Sequence, residues 1–214
     1  MYLHIHIPKT GGSSFRTGTE TFLKSLYDYG RDSEYTSAVI KATTYSNKID
    51  SLPHFIKRAS IDMISGHFPA CKYSSLFPEA KMITFFRDPI SRIISEYNFL
   101  SSLGAVSLKF EQFCELPSQQ NKQSRLISGT ELKDFHFIGI TECFSESICR
   151  FNKLSGLSIP ELDLRPGKKL ESNSPDKLRL ESIAKDYLDF LREINKEDLI
   201  LYQQAFAQFK TKSS

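Results

Sequence analysis

Three short stretches of this 214-residue chain carry side chains suited to holding an anion. The first is HIPKTGGSSF, residues 6–15, where Lys9 and Thr10 precede Gly11 and Gly12, and Ser13 and Ser14 follow. Paired glycines let a backbone curl tightly and turn its N–H groups outward. A helix opening near Ser13 adds unpaired N–H donors and a partial positive end. Lys9 adds a full charge, and the two serines add hydroxyl donors. The nucleotide P-loop places its lysine after the glycines, so the order here points to a different anionic ligand. The plainer alternative is a strand-to-helix turn with Ser13 as its cap.

The second stretch is RDPISRIISEYNF, residues 87–99. At about 100° per residue, Ile90, Ile93, Ile94, Tyr97 and Leu100 share one helical arc, with Arg92 and Ser95 opposite. Asp88 suits the N-cap and Pro89 the first helical position. Arg87, at a strand end, and Ser95 would flank one anion with Arg92 nearby; a guanidinium fork with a hydroxyl suits a phosphate monoester. The alternative pairs Arg87 with Asp88 or Glu96 and leaves Ser95 in water. The third stretch is ISGHFP, residues 64–69, whose His67 offers an imidazole that titrates near neutral pH. His67 is the leading general base, or else a structural hydrogen-bonding residue near Pro69. His4 and His6 read as strand residues facing away from the loop.

Elements that would position these residues follow from periodicity. Residues 2–7 alternate as a strand, and Phe15, Phe22, Leu23 and Leu26 recur at helical spacing. Residues 61–65, 81–86 and 135–141 read as strands, and 89 to about 103 and 145–154 as helices. Residues 28–60 are polar, with a helix or two. A Pro/Gly/Lys/Ser-rich loop covers 156–174. A long amphipathic helix starts at Ser174 and Pro175, carries Leu180, Ile183, Ala184, Tyr187, Leu188 and Leu191, and breaks at Asn195 before a last helix. Strands alternating with helices give an α/β class with a mainly parallel sheet. Ligands of such sheets bind beyond the carboxyl ends of the strands, where all three stretches fall. Two anion sites on one sheet edge suit a ligand with phosphates at both ends of a nucleoside.

HIPKTGGSSF resembles the 5′-phosphosulfate loop of sulfotransferases that use 3′-phosphoadenosine 5′-phosphosulfate (PAPS). FFRDPISRIISEYNF resembles their 3′-phosphate motif, R-D-P-x-x-R-x-x-S-x-Y. GITECFSESI and EDLILYQQAFAQF are similar to later segments of the carbohydrate branch, typified by heparan sulfate 2-O-sulfotransferases. The resemblance implies a P-loop-NTPase-like three-layer fold, with a helical C-terminal region of about 175–210 packed on one sulfotransferase domain spanning 1–214. It implies transfer of a sulfuryl group from PAPS to a hydroxyl, most readily of a carbohydrate, with the 3′,5′-bisphosphate PAP as product and no metal. Lys9, Thr10, Gly11, Gly12, Ser13 and Ser14 would hold the phosphosulfate, and Arg87 and Ser95 the 3′-phosphate. Arg92, and Arg125 of NKQSRLISG, would assist. RPGKKLESN reads as a solvated loop, or else as a basic lid that brings Lys168 and Lys169 near adenosine or substrate. In that branch a histidine at the end of the second strand is the base, which falls on His67. The branch has an H-G-H pattern, whereas Ser65 stands at its first position here. A nucleotide or nucleoside kinase of related fold, or a non-catalytic anion-binding relative, are the alternatives; a kinase would want lysine after the glycines and a carboxylate for Mg²⁺.

The bulk numbers agree with such an enzyme. With 40% hydrophobic and 25% charged residues, the chain is able to bury a substantial core. Its 28 basic and 25 acidic residues leave a net charge of +3, too mild for a nucleic-acid binder. Cys71, Cys114, Cys143 and Cys149 form no C-x-x-C pair or zinc pattern. No run of about 18 apolar residues predicts a membrane span, and no leader is recognisable. A cytosolic, bacterial-type enzyme is expected, with a Golgi lumenal domain as the alternative if the chain is excised from an anchored precursor.

Overall fold

The computed structural model describes residues 1–161 and 178–211. Five parallel strands form the sheet: β1 (Tyr2–Ile5), β2 (Ser25–Asp28), β3 (Met63–Gly66), β4 (Lys81–Phe86) and β5 (Phe135–Ile140), in the order β2-β3-β1-β4-β5. His4 sits opposite Ser65 on one side and Ile83 on the other. Helices cover both faces, so inward and outward positions are alike apolar. On one face Leu3, Ile5, Ile64 and Phe86 pack with Ile56 of α3 (Leu52–Ala59). Ala205 and Phe209 of the C-terminal helix belong to the same cluster. On the other, Met63, Ile83, Phe85 and Phe137 meet Phe15 of α1 (Gly12–Thr19) and Phe151 of α8 (Phe144–Ser155). Phe15 and Phe151 are fully buried, each contributing about 1.5–3 kcal/mol by leaving water.

The remaining elements are short except for three helices. Between β2 and β3 lies α2 (Ala38–Thr43), followed by a 3-10 turn and α3. Next come α4 (Cys71–Ser74), α5 (Pro89–Ser102), α6 (Phe110–Glu115) and α7 (Lys122–Leu126). The C-terminal pair is α9 (Lys185–Ile194) and α10 (Lys196–Thr211), meeting at Asn195. Asp88 caps α5 as its sequence implies, accepting from the Ser91 N–H at 2.8 Å, with Pro89 in the first turn.

Two elements differ from their sequence periodicity. The helix after the first loop stops at Thr19, and Leu26 lies in β2. Thr19 bonds back to the Arg16 carbonyl at 2.7 Å, and the Phe22 and Leu23 N–H groups turn onto the Thr19 carbonyl. Such side-chain bonds compete with helix propagation, and the SLYD stretch that follows alternates half-buried and buried. Residues 180–182 form a 3-10 turn and the helix proper starts at Lys185. Leu180 and Ile183 therefore belong to the approach to α9 rather than to its stripe; Ser174 and Pro175 lie outside the described residues.

β1 and β4 are neighbours, yet the chain leaves them toward opposite edges: β2 closes one edge and β5 the other. A crevice opens beyond the carboxyl ends of such a pair. The loop after β1 and the Arg87–Asp88 turn after β4 face each other across it.

Candidate active site

A cleft of about 1160 Å³ fills this crevice. Its walls include Lys9, Gly11, Gly12, Ser13 and Ser14 from the first loop. Arg87, Ser91 and Ser95 come from the turn after β4 and from α5, and His67 from beyond β3. The three stretches singled out by residue type thus converge on one cavity.

The loop is held by bonds that leave its N-terminal helix end facing the cleft. Lys9 has φ 67° and Gly11 φ 86°, so two residues of one turn are left-handed. A non-glycine residue there costs about 1–3 kcal/mol unless its surroundings enforce it. They do: the buried Thr10 hydroxyl donates to the Ile7 carbonyl at 2.9 Å, Thr141 donates to the Thr10 carbonyl at 2.7 Å, and Arg87 Nη1 donates to the Lys9 carbonyl at 3.1 Å. A Cβ on Gly11 would stand 2.9 Å from the Phe144 ring, and one on Gly12 only 2.1 Å from the ring of His6. No side chain caps α1 and no acid lies in its first turn. Its positive end is therefore available to an anion. The Lys9 ammonium stands 4.1 Å from the centroid of the Phe99 ring.

The α5 side is built differently, by polar side chains braced from afar. Gln123 grips the Arg87 backbone twice, accepting from its N–H at 3.0 Å and donating to its carbonyl at 2.9 Å. Asp198 of α10 in turn accepts from the N–H groups of Gln123 and Ser124, at 3.0 and 2.7 Å. Asn121 and Asn195 complete the junction, with the Asn195 side chain accepting from the Asn121 N–H at 3.0 Å. The C-terminal helix thereby sets the position of a strand-end arginine more than a hundred residues earlier in the chain.

Three assignments change. Thr10 turns its side chain inward to fix the loop and does not line the cleft. Arg92 is fully buried, ion-paired with Glu96 and directed at the Gln119 carbonyl. The polar side of α5 is covered by the segment leading into α7, so its wheel position meant an internal pair rather than a free anion contact. Arg125 points to the Ser118 carbonyl at 2.7 Å, away from the cleft. Lys168 and Lys169 lie outside the described residues.

Two cationic cleft residues were not apparent from motifs. Lys122 lines the cleft and bonds Glu96 at 2.6 Å. Burial raises the Glu96 carboxyl, but Arg92 and Lys122 outweigh it and hold the group below its ordinary value. Burial also pulls Lys122 down against the attraction of Glu96; beside an ionised carboxylate we assign it the ammonium form at neutral pH. Arg16, one helical turn beyond Gly12, also lines the cleft. Lys122 lies within NKQSRLISG, whose resemblance points to Arg125 instead, and Arg16 follows directly on HIPKTGGSSF; the fold brings both here.

The histidines differ most from expectation. His4 and His6 do not face away from the loop: they are buried, stacked at 5.5 Å, and His6 borders the cleft under Gly12. Ser65 donates to or accepts from His4 Nδ1 at 2.8 Å. His67 opens onto the cleft, its ring 4.7 Å from those of both His6 and Tyr29. Desolvation in the cleft lowers its pKa to about 4, with Glu96 opposing and Lys122 and Arg16 assisting. His67 is thus neutral at pH 7 and able to accept a proton. Among the described residues, no group of His, Cys, Asp or Glu is placed to hold a metal ion, and no helix is long and apolar enough to cross a membrane.

No family model matches the chain, and no curated protein matches it either. Among solved structures it is similar to the mouse sulfotransferase SULT7A1 complexed with PAP, with a TM-score of 0.50 and 14% identity over 86% of this chain. The match spans 66% of that protein's length. A sulfotransferase from Alicyclobacillus acidocaldarius matches with a TM-score of 0.49 and 14% identity, over 92% of this chain and 91% of the other. The chain therefore has the α/β fold, with a central parallel sheet and flanking helices, seen in the PAP-complexed sulfotransferase.

Proposed function

We propose that this protein transfers a sulfuryl group from PAPS to a hydroxyl acceptor, of the carbohydrate class. One observation carries the reading: the Lys9–Ser14 loop, the Arg87–Ser95 pair and His67 line a single cleft. Its two anion-binding ends suit a nucleotide with phosphate on both sides of the sugar. Ser95 stands six residue steps, about 9 Å of helix rise, along α5 from Pro89. The likeness to a sulfotransferase holding PAP supports the same ligand class.

The chemistry follows from the residues. The acceptor O–H gives its proton to neutral His67 while the acceptor oxygen forms a bond to sulfur. The bond from sulfur to the bridging phosphate oxygen breaks, and the leaving group is PAP. Lys9 and the N–H groups at the start of α1 stabilise charge growing on that oxygen. Aimed donors of this kind are worth about 10²–10³ in rate each. Arg87 and Ser95 hold the 3′-phosphate, and alignment of donor with acceptor supplies the rest. Tyr29, Tyr35 and Phe99 also line the cleft, offering flat surfaces beside polar groups for a sugar ring.

The test is transfer of labelled sulfate from PAPS to a panel of glycans and simple alcohols. Label on a glycan, abolished by Lys9→Ala, is the expected result. Failure to label any hydroxyl, together with thermal stabilisation by ATP–Mg²⁺ and none by PAP, would contradict the proposal and favour a kinase.

A further inference from the structure

His6 is a buried polar residue of the cleft to which the mechanism above gives no task. It is 5% exposed, lies on the cleft wall, and makes one side-chain hydrogen bond, from Nδ1 to the Tyr29 hydroxyl at 3.3 Å. That hydroxyl also receives Arg16 Nη1 at 3.4 Å. A guanidinium can only donate. The Tyr29 oxygen therefore accepts there, which leaves its own proton free for His6 Nδ1 or for Ser65, its other hydrogen-bond neighbour; we place it on His6 Nδ1. A neutral imidazole that accepts at Nδ1 carries its hydrogen on Nε2. Nε2 lies on the edge of the ring pressed against the loop, 2.5 Å from where a Gly12 Cβ would stand. It has no partner among the described residues. The ring is also 4.7 Å from His67, which places it between the loop and the base.

Resting on the sulfuryl-transfer reading, we propose that His6 is a catalytic residue whose Nε2–H donates to a non-bridging oxygen of the sulfuryl group in flight, with Tyr29 as the positioning residue that fixes its tautomer. Neutrality suits the task. Burial, and the charges of His67, His4, Arg16 and Lys9, keep the His6 pKa well below its ordinary value. A neutral donor adds no further positive charge beside His67 when it gains a proton. Gly12 is then explained as well, since any side chain there would push the imidazole out of reach.

Three variants and one spectrum test this. Glutamine places its amide nitrogen near the Nε2 position of histidine, and asparagine near Nδ1. His6→Asn is expected to lower PAPS turnover, on a confirmed acceptor or water, about 10²-fold, with PAP affinity unchanged. His6→Gln should recover most of that loss. Tyr29→Phe should lower turnover less, again without touching PAP affinity. In wild-type protein, ¹⁵N-histidine NMR should show His6 as the neutral Nε2–H tautomer at pH 7; this reading needs no variant to fold. An Nδ1–H tautomer, full turnover in His6→Asn, or equal losses of PAP affinity and turnover would overturn the proposal. If wild-type protein neither binds PAP nor consumes PAPS, the sulfuryl-transfer reading falls first and takes this one with it.

Discussion

The two ends of the cleft, both proposed above to bind anions, are built by different means. The loop end is made of backbone: left-handed Lys9 and Gly11, a glycine at 12 pressed on His6, and the open N-terminus of α1. Its ties are local or come from adjacent strand ends. The α5 end is made of side chains, Arg87 and Ser95, and its bracing runs through Gln123 to Asp198 of the last helix. The first is rigid because the turn is over-determined; the second is only as rigid as the packing of the C-terminal helix. Damage to the loop should therefore strike turnover, and damage to the α5 end should strike nucleotide affinity.

Lys9→Ala should have the largest effect, lowering kcat by about 10²–10³-fold while PAP still binds; single-turnover assays with PAPS separate the two. Ser95→Ala comes next. Loss of one hydrogen bond to a charged phosphate costs about 1.5–3 kcal/mol, so calorimetry should show PAP affinity weakened at least tenfold with kcat at saturating PAPS little changed. Asp198→Ala removes the acceptor for two backbone N–H groups, which costs about 0.5–2 kcal/mol for comparable helix caps. It should lower the melting temperature and weaken PAP by a few-fold, although residue 198 touches no ligand. A turnover defect in Asp198→Ala without loss of affinity would undo the division between the two ends.

The smallest effect is one of pH. His67 must be neutral to act as base, and its pKa is lowered to about 4 by desolvation in the cleft. The base form is present above that value and lost below it. The acid limb of kcat/KM should therefore lie below that of an ordinary histidine, and activity should be level from pH 6 to 7.5. A limb at 6.5 would mean that the cleft does not desolvate His67, or that another group titrates.

Much of this was legible in the sequence because it is local. Strand 81–86, the Asp88 cap and the Lys9–Ser14 loop depend on neighbours a few residues away, and they stand where alternation, capping and glycine spacing put them. Arg92 was misplaced for a non-local reason. A helical wheel divides apolar from polar sides, but it does not say what covers the polar side, and here the 115–122 segment does. Lys122 and Arg16 are hard to read from the sequence for the converse reason: the crossing of chains at the sheet edge, not local spacing, brings them to the cleft. His6 was read as facing away because alternation assigns a side of the strand, not the course of the chain that folds back over it.

The central claim is a clamp with two anion-binding ends, and calorimetric titration with PAP, 5′-AMP, 3′-AMP and ATP–Mg²⁺ tests it most directly. The account predicts that PAP binds most tightly and that omitting either phosphate weakens binding by roughly tenfold or more. Equal affinity for PAP and one of the monophosphates, or tighter binding of ATP–Mg²⁺, would contradict it.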